Sequence, residues 1–141
     1  ASTLNLILAQ RLVRRFCENK EKYNLNNSEV GNLNKYCDVE KISAILKKQK
    51  LMGPKQTLKD ISFFRPKPSK DCPEGYKGRI GIYEALPVTE TIKELIIKEA
   101  SSDQIQERGQ KEGMRTMVED GFVKAAQGIT SIEEVLRVIN E

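Results

Sequence analysis

Residues 75–88 read G-Y-K-G-R-I-G-I-Y-E-A-L-P-V, and the fold is best worked out from this run outward. Gly75 and Gly78 suit a turn, because glycine reaches backbone angles that other residues avoid. From Arg79 to Leu86, Ile80, Ile82 and Glu84 alternate with Gly81, Tyr83 and Ala85. A period of two is that of a strand. Pro87 stops the ladder, having no N–H to donate.

A strand needs a partner, and R-L-V-R-R-F-C at 11–17 supplies one. Leu12, Arg14 and Phe16 alternate there with Val13, Arg15 and Cys17. Just upstream, Leu4, Ile7 and Leu8 fall on one helical face behind Ser2 or Thr3 as a cap, so a helix is expected over 2–10. Residues 18–37 are polar and rich in Asn, Lys and Glu, which predicts a loop. Asp38 then caps a helix with Val39, Ile42, Ile45 and Leu46 on one stripe, ending near Lys50. Residues 51–74 hold four of the five prolines (Pro54, Pro66, Pro68, Pro73) and read as a connector with one extended piece near 61–64.

Downstream the chain is well punctuated. Thr89 caps a helix carrying Ile92, Leu95, Ile96 and Ala100. Ser101-x-x-Gln104, Thr116-x-x-Glu119 and Thr130-x-x-Glu133 are three capping boxes, with Gly113 and Gly128 as stops. Residues 89–140 therefore predict a cluster of four short helices. The fold class expected is α+β and mostly helical. A two-stranded antiparallel sheet, about 11–17 with 79–87, packs on the C-terminal helical cluster, and an irregular inserted lobe projects away. The chain divides into 1–17 (helix and first strand), 18–74 (inserted lobe) and 75–141 (strand and helical cluster).

The composition narrows the chemistry. Hydrophobic residues are 38% and charged residues 31% of the 141, enough for a modest core and too apolar for disorder. The charge of +4 arises from 24 basic against 20 acidic residues, a mixed surface with no concentrated basic stripe. No apolar run approaches the roughly 20 residues that span a bilayer. Ala1 is no initiator Met, and no basic leader precedes L-N-L-I-L. A trimmed piece of a longer chain fits. Three widely spaced cysteines suit a reduced, cytosolic protein better than a disulfide framework. The absence of histidine excludes Ser–His and Cys–His triads within the chain.

The glycines at 75, 78 and 81 invite a phosphate-loop reading, but a Walker loop needs G-x-x-x-x-G-K-[ST], which is absent. G-Y-K-G is similar to the GXXG loop of a KH domain, but that loop joins two helices. A turn entering a strand is favoured. Arg11, Arg14 and Arg15 could meet phosphates; a solvated strand face or pairing with a partner domain is favoured. Glu84 reads as an edge charge paired with an arginine of the neighbouring strand, Arg14 for example. A closed zinc site wants four ligands. Lys20 and Gly75 stand where knuckle partners of Cys17 and Cys72 would stand, and Cys37 is alone. Loss of a zinc site is favoured over a three-cysteine site completed by Asp38 or Asp71.

A-S-T-L-N-L-I-L-A-Q-R-L-V-R-R-F-C at 1–17 resembles the end of the motor domain in the ATPases of type II secretion and type IV pilus assembly. There, a helix runs into an A-Q-R-L-V-R-x-L-C strand. G-Y-K-G-R-I-G-I-Y-E-A-L-P-V-T resembles the strand that pairs with it. G-M-R-T-M-V-E-D-G at 113–121 and G-I-T-S-I-E-E-V-L at 128–136 resemble the terminal helices. The four matches occur in order over about 1–17 and 75–141.

The resemblance implies a C-terminal, non-catalytic part of a hexameric ATPase, with ATP and magnesium bound by the parent and no cofactor bound in this part. Its partners would be its own motor domain, neighbouring subunits of a homohexamer and an inner-membrane platform protein. It would lie in the cytoplasm, peripheral to the inner membrane, without membrane insertion and without nucleic acid. Gln10 and Arg11 match the end of the motor domain nearest the nucleotide core. The family's tetracysteine metal subdomain is reduced here to the remnants Cys17 and Cys72, so zinc is not expected. The alternative is a small nucleic-acid-binding regulator using Arg11, Arg14, Arg15 and the lysines from Lys47 to Lys50.

Overall fold

Two long strands form a ribbon through the computed structural model, which describes residues 3–141. Strand β1 (Leu6–Phe16) pairs antiparallel with β4 (Tyr76–Pro87), Arg11 opposite Ile82 and Val13 opposite Ile80. The α+β class holds, and the pairing runs further than 11–17 with 79–87. One correction concerns residues 2–10, where a helix was expected. Leu6–Gln10 are strand, with Ile7 opposite Leu86 and Leu8 opposite Ala85. The spacing of Leu4, Ile7 and Leu8 suits either structure, and the long partner strand decides it. Ser2 lies outside the described residues.

Gly75 closes the expected turn at φ +75, while Gly78 lies beyond it, in a bulge. Arg14 faces Arg79 and Phe16 faces Tyr76, so Arg15 stands opposite both Lys77 and Gly78. Gly78 takes the extra residue at φ +77, a left-handed angle that a side chain would resist.

Between the paired strands lies the lobe, with β2 (Lys20–Tyr23), α1 (Asn27–Leu33), α2 (Val39–Lys48) and β3 (Phe63–Pro66). Strands β2 and β3 form a second antiparallel pair. The loop expected over 18–37 is thus a strand and a helix. Asn26 caps α1: its side chain accepts from Glu29 N at 2.9 Å and its N–H donates to the Glu29 carboxylate at 2.8 Å. Asp38 caps α2 as expected. The lobe does not project away. Its Leu33, Ile42, Leu46 and Phe63 share the main core with Phe122, Val123, Ile132 and Val135, and Phe63 meets Phe122 edge-on at 6.3 Å. Apolar residues too few to close a core alone are buried against the C-terminal helices.

Four helices follow: α3 (Glu90–Ile97), α4 (Ser102–Lys111), α5 (Met117–Ala126) and α6 (Ile132–Asn140). Thr89, Ser101 and Thr116 cap the first three, and the last two form complete boxes. The third box is displaced by one residue. Ser131, not Thr130, caps α6, accepting from Glu134 N at 3.1 Å. The fully buried Thr130 instead donates to Arg14 O at 2.7 Å.

Helices α5 and α6 approach closely at Gly121. A Cβ there would collide with Cγ1 of Val135 and stand 2.9 Å from its Cγ2. Val135 is fully buried and has no room to yield. Overpacking of this kind costs about 2–3 kcal/mol, and the better helix propensity of alanine returns about 1. Gly121→Ala should therefore lose about 1–2 kcal/mol in urea unfolding, and a Val135→Ala change beside it should reduce the penalty.

Candidate functional site

Three acidic side chains fasten the helices to the ribbon. Glu134, on the first turn of α6, is only 2% exposed. Its carboxylate accepts from Arg14 N at 2.9 Å, from the Arg14 guanidinium at 2.6 Å and from Arg137 at 3.0 and 3.1 Å. Burial pushes the Glu134 carboxyl up, but the bonds from Arg14 and Arg137 outweigh it and hold it at about 2. Arg14 also lies over the Tyr76 ring at 4.5 Å, and the Tyr76 hydroxyl meets Ser131 Oγ at 2.7 Å.

The second is Asp120 on α5, which accepts from Tyr83 N at 2.9 Å, Lys124 at 2.8 Å and Arg115 at 3.3 Å. Lys124 donates in turn to Gly81 O. The third is Glu84, whose carboxylate accepts from Met117 N at 3.1 Å, at the positive end of α5. The expected Glu84–Arg14 pair does not form. Glu84 stands opposite Ala9 while Arg14 stands opposite Arg79, so the two are five pairs apart along the ribbon.

These contacts show which backbone groups point out of the ribbon. Asp120 and Lys124 satisfy Tyr83 N–H and Gly81 C=O, which blunts the outer edge of β4. On the outer edge of β1, Glu134, Thr130 and Ile129 O satisfy Arg14 N–H, Arg14 C=O and Phe16 N–H. The alternation continues toward the start of β1, so Leu6, Leu8, Gln10 and Leu12 present their N–H and C=O groups on that same edge. Among the described residues those groups have no partner. The three leucine side chains are apolar yet exposed, Leu6 by 53%, Leu8 by 57% and Leu12 by 41%, beside the polar Gln10. Half of β1 is thus an open, apolar strand edge.

The structure brings Gln10 and Arg11 to this open half. With Leu12, Val138 and Glu141 they line a shallow recess of about 560 Å³. Arg11 donates to Val138 O, tying the recess to the last turn of α6. The basic cluster does not act as a unit, because Arg14 is held by Glu134, Arg11 by Val138 and only Arg15 points free into solvent.

The cysteines correct the expectation of reduced thiols. Cys17 and Cys72 are joined by a disulfide. They meet where the lobe leaves β1 and re-enters β4, beside a Cys17 N–H to Gly75 O bond of 3.0 Å. Cys37 lies apart, half-buried against the main core. Among the described residues no three His, Cys, Asp or Glu side chains come together as metal ligands. No helix of the described residues is long and apolar enough to cross a membrane.

A family model described as "Type II/IV secretion system protein" matches residues 1–137. The chain is 36% identical over 141 residues to type II secretion system protein E of Xanthomonas campestris pv. campestris, covering 99% of this chain and 22% of the relative. It is 33% identical over 144 residues to the type IV pilus assembly ATPase PilB of Pseudomonas aeruginosa, covering 100% of this chain and 22% of the relative. It is 34% identical over 146 residues to the type II secretion system ATPase E of Vibrio cholerae serotype O1, covering 100% and 24%. The chain spans about a fifth to a quarter of the length of these curated relatives. The chain belongs to the type II/IV secretion system protein family.

Proposed function

We propose that this chain is the C-terminal, non-catalytic part of an ATPase that powers type II secretion or type IV pilus assembly. The open apolar edge of β1 carries the reading. A row of free N–H and C=O groups flanked by exposed leucines is a template for another strand, and the ATPase core of the parent supplies one. The sheet of the motor then runs through β1 into the ribbon. Glu134, Asp120 and Glu84 pass its movement on to the helices. Gln10 and Arg11 lie on the segment nearest the nucleotide. ATP and magnesium belong to the parent, and this part holds neither them nor zinc. The parent works as a homohexamer in the cytoplasm, peripheral to the inner membrane, against a platform protein there.

The test uses the parent and the isolated chain together. In the isolated chain the Leu8 and Leu12 amides should exchange hydrogen rapidly; in the parent they should be protected. Leu8→Lys should shift the isolated chain by under about 0.5 kcal/mol, since Leu8 is exposed. In the parent it should lower ATP turnover by about ten-fold or more, because a lysine blocks strand addition. Equal exchange in both proteins, or measurable ATP turnover by the purified 141 residues alone, overturns the reading.

A further inference from the structure

The surface charge is unevenly shared. Residues 18–74 carry 12 Lys and Arg against 8 Asp and Glu, while the rest of the chain is balanced at 12 against 12. The lobe therefore holds the whole net charge of +4. From Lys41 to Lys59 there are six lysines and no carboxylate. All six are exposed, and among the described residues none joins an ion pair.

Two of them stand over a cleft. Lys41, Ala44, Ile45 and Lys48 are spaced i, i+3, i+4, i+7, one continuous face of α2. This face borders a cleft of about 570 Å³ between α2 and the corner where α4 turns into α5. Ala44, Ile45 and Met114 give it an apolar lining, and Lys41 reaches the opposite wall through Gln110 Oε1 at 3.3 Å. The cleft also holds two carboxylates, and both are occupied. Glu107 pairs with Lys111 at 3.0 Å, and Glu119 accepts from Thr116 N at 2.9 Å within the cap of α5. Arg115 is likewise balanced by Asp120. The uncompensated charge is that of Lys41 and Lys48, at either end of an apolar strip.

We infer that this cleft receives an acidic amphipathic helix of a partner protein. Two apolar side chains would lie on Ala44, Ile45 and Met114, and carboxylates one turn before and after would meet Lys41 and Lys48. The volume falls within the range of about 300–1,000 Å³ typical of formed binding clefts. Other polyanions fit less well. No aromatic ring lines the cleft for base stacking, and its guanidinium is already bound, so the usual means of holding nucleic acid are missing. The apolar lining is concave, unlike a face laid flat on lipid headgroups.

The probe is a fluorescein-labelled helical peptide of about 15 residues, with leucines at the i, i+3, i+4, i+7 spacing and glutamates elsewhere. It is titrated by anisotropy with the 141-residue chain. Saturable binding is expected, weakened about ten-fold or more in a Lys41→Glu/Lys48→Glu double variant. Lys55→Glu, outside the cleft, should change it less than about two-fold. Absence of saturation, or equal loss in the Lys55→Glu control, overturns the inference. So does tighter, Lys41- and Lys48-dependent binding of phosphatidylglycerol vesicles or a single-stranded oligothymidine, which would assign the cleft to lipid or nucleic acid instead.

Discussion

Reduction of the Cys17–Cys72 bond is expected to lower the unfolding free energy by about 4 kcal/mol. The cysteines are 55 residues apart, and a cross-link over so long a loop removes much of the freedom of the unfolded chain. The native geometry gives the link a further use. It closes the neck of the lobe, where otherwise the Cys17–Gly75 backbone bond and the turn around Cys72 hold the strands together. Urea unfolding with and without dithiothreitol measures the effect, and Cys17→Ser should reproduce the reduced curve. Cys37→Ser should leave the response to reductant intact. Burial pushes the Cys37 thiol up to about 11, with Asp38 adding to the shift, so it is a poor candidate for thiol exchange. Coincident curves with and without reductant would refute the disulfide's role. In a reducing compartment the dithiol form prevails, and the neck is then the loosest part of the lobe.

Loss of the Glu134 carboxylate should cost about 3 kcal/mol, because one buried group satisfies the Arg14 amide and two guanidiniums at once. Glu134→Ala would free Arg14 and Arg137 into solvent, orphan the Arg14 N–H and loosen α6 from β1. The pH dependence gives a second readout. In the folded chain the carboxyl titrates at about 2, against an ordinary 4.5. A depressed carboxyl stabilises fully above its unfolded value and loses that contribution as pH falls toward the folded one. The difference between wild type and Glu134→Ala should therefore be full at neutral pH and shrink between about pH 4.5 and pH 2. A difference that stays constant across that window would show that Glu134 acts by packing alone.

What could be read from the sequence was local. Thr89, Ser101, Thr116 and Asp38 cap helices as expected, because a cap is settled by a few adjacent residues. The strand over 79–86 declared itself by alternation. Features that depend on distant partners were hidden. The start of β1 looked helical because its pairing comes from residues about eighty positions away. The Asn26–Glu29 box was legible in principle but lay in a stretch polar enough to pass for loop. Thr130 and Ser131 are equivalent caps on paper, and only the buried Arg14 carbonyl distinguishes them. Gln10 and Arg11 lie on the open half of β1, but their residue types give no sign of the free edge beside them. An edge is a relation between strands, and no residue type announces it.

The disulfide neck and the mixed core also bear on the order in which the chain assembles. Phe16 and Tyr76 are the nearest partners along the ribbon, and Leu6 and Pro87 the farthest. Closing a loop of some sixty residues costs about 3–4 kcal/mol before the first rung pays anything back. The lobe supplies that closure only once β2 meets β3, which brings residues 20 and 66 together. Because its core is completed by Phe122 and Val135, the lobe in turn waits for α5 and α6. The ribbon shares that dependence, because its Val13 and Ile82 are buried against Val138 of α6. The open edge of β1 is therefore a surface made by long-range contacts, complete only once the helices behind it are packed.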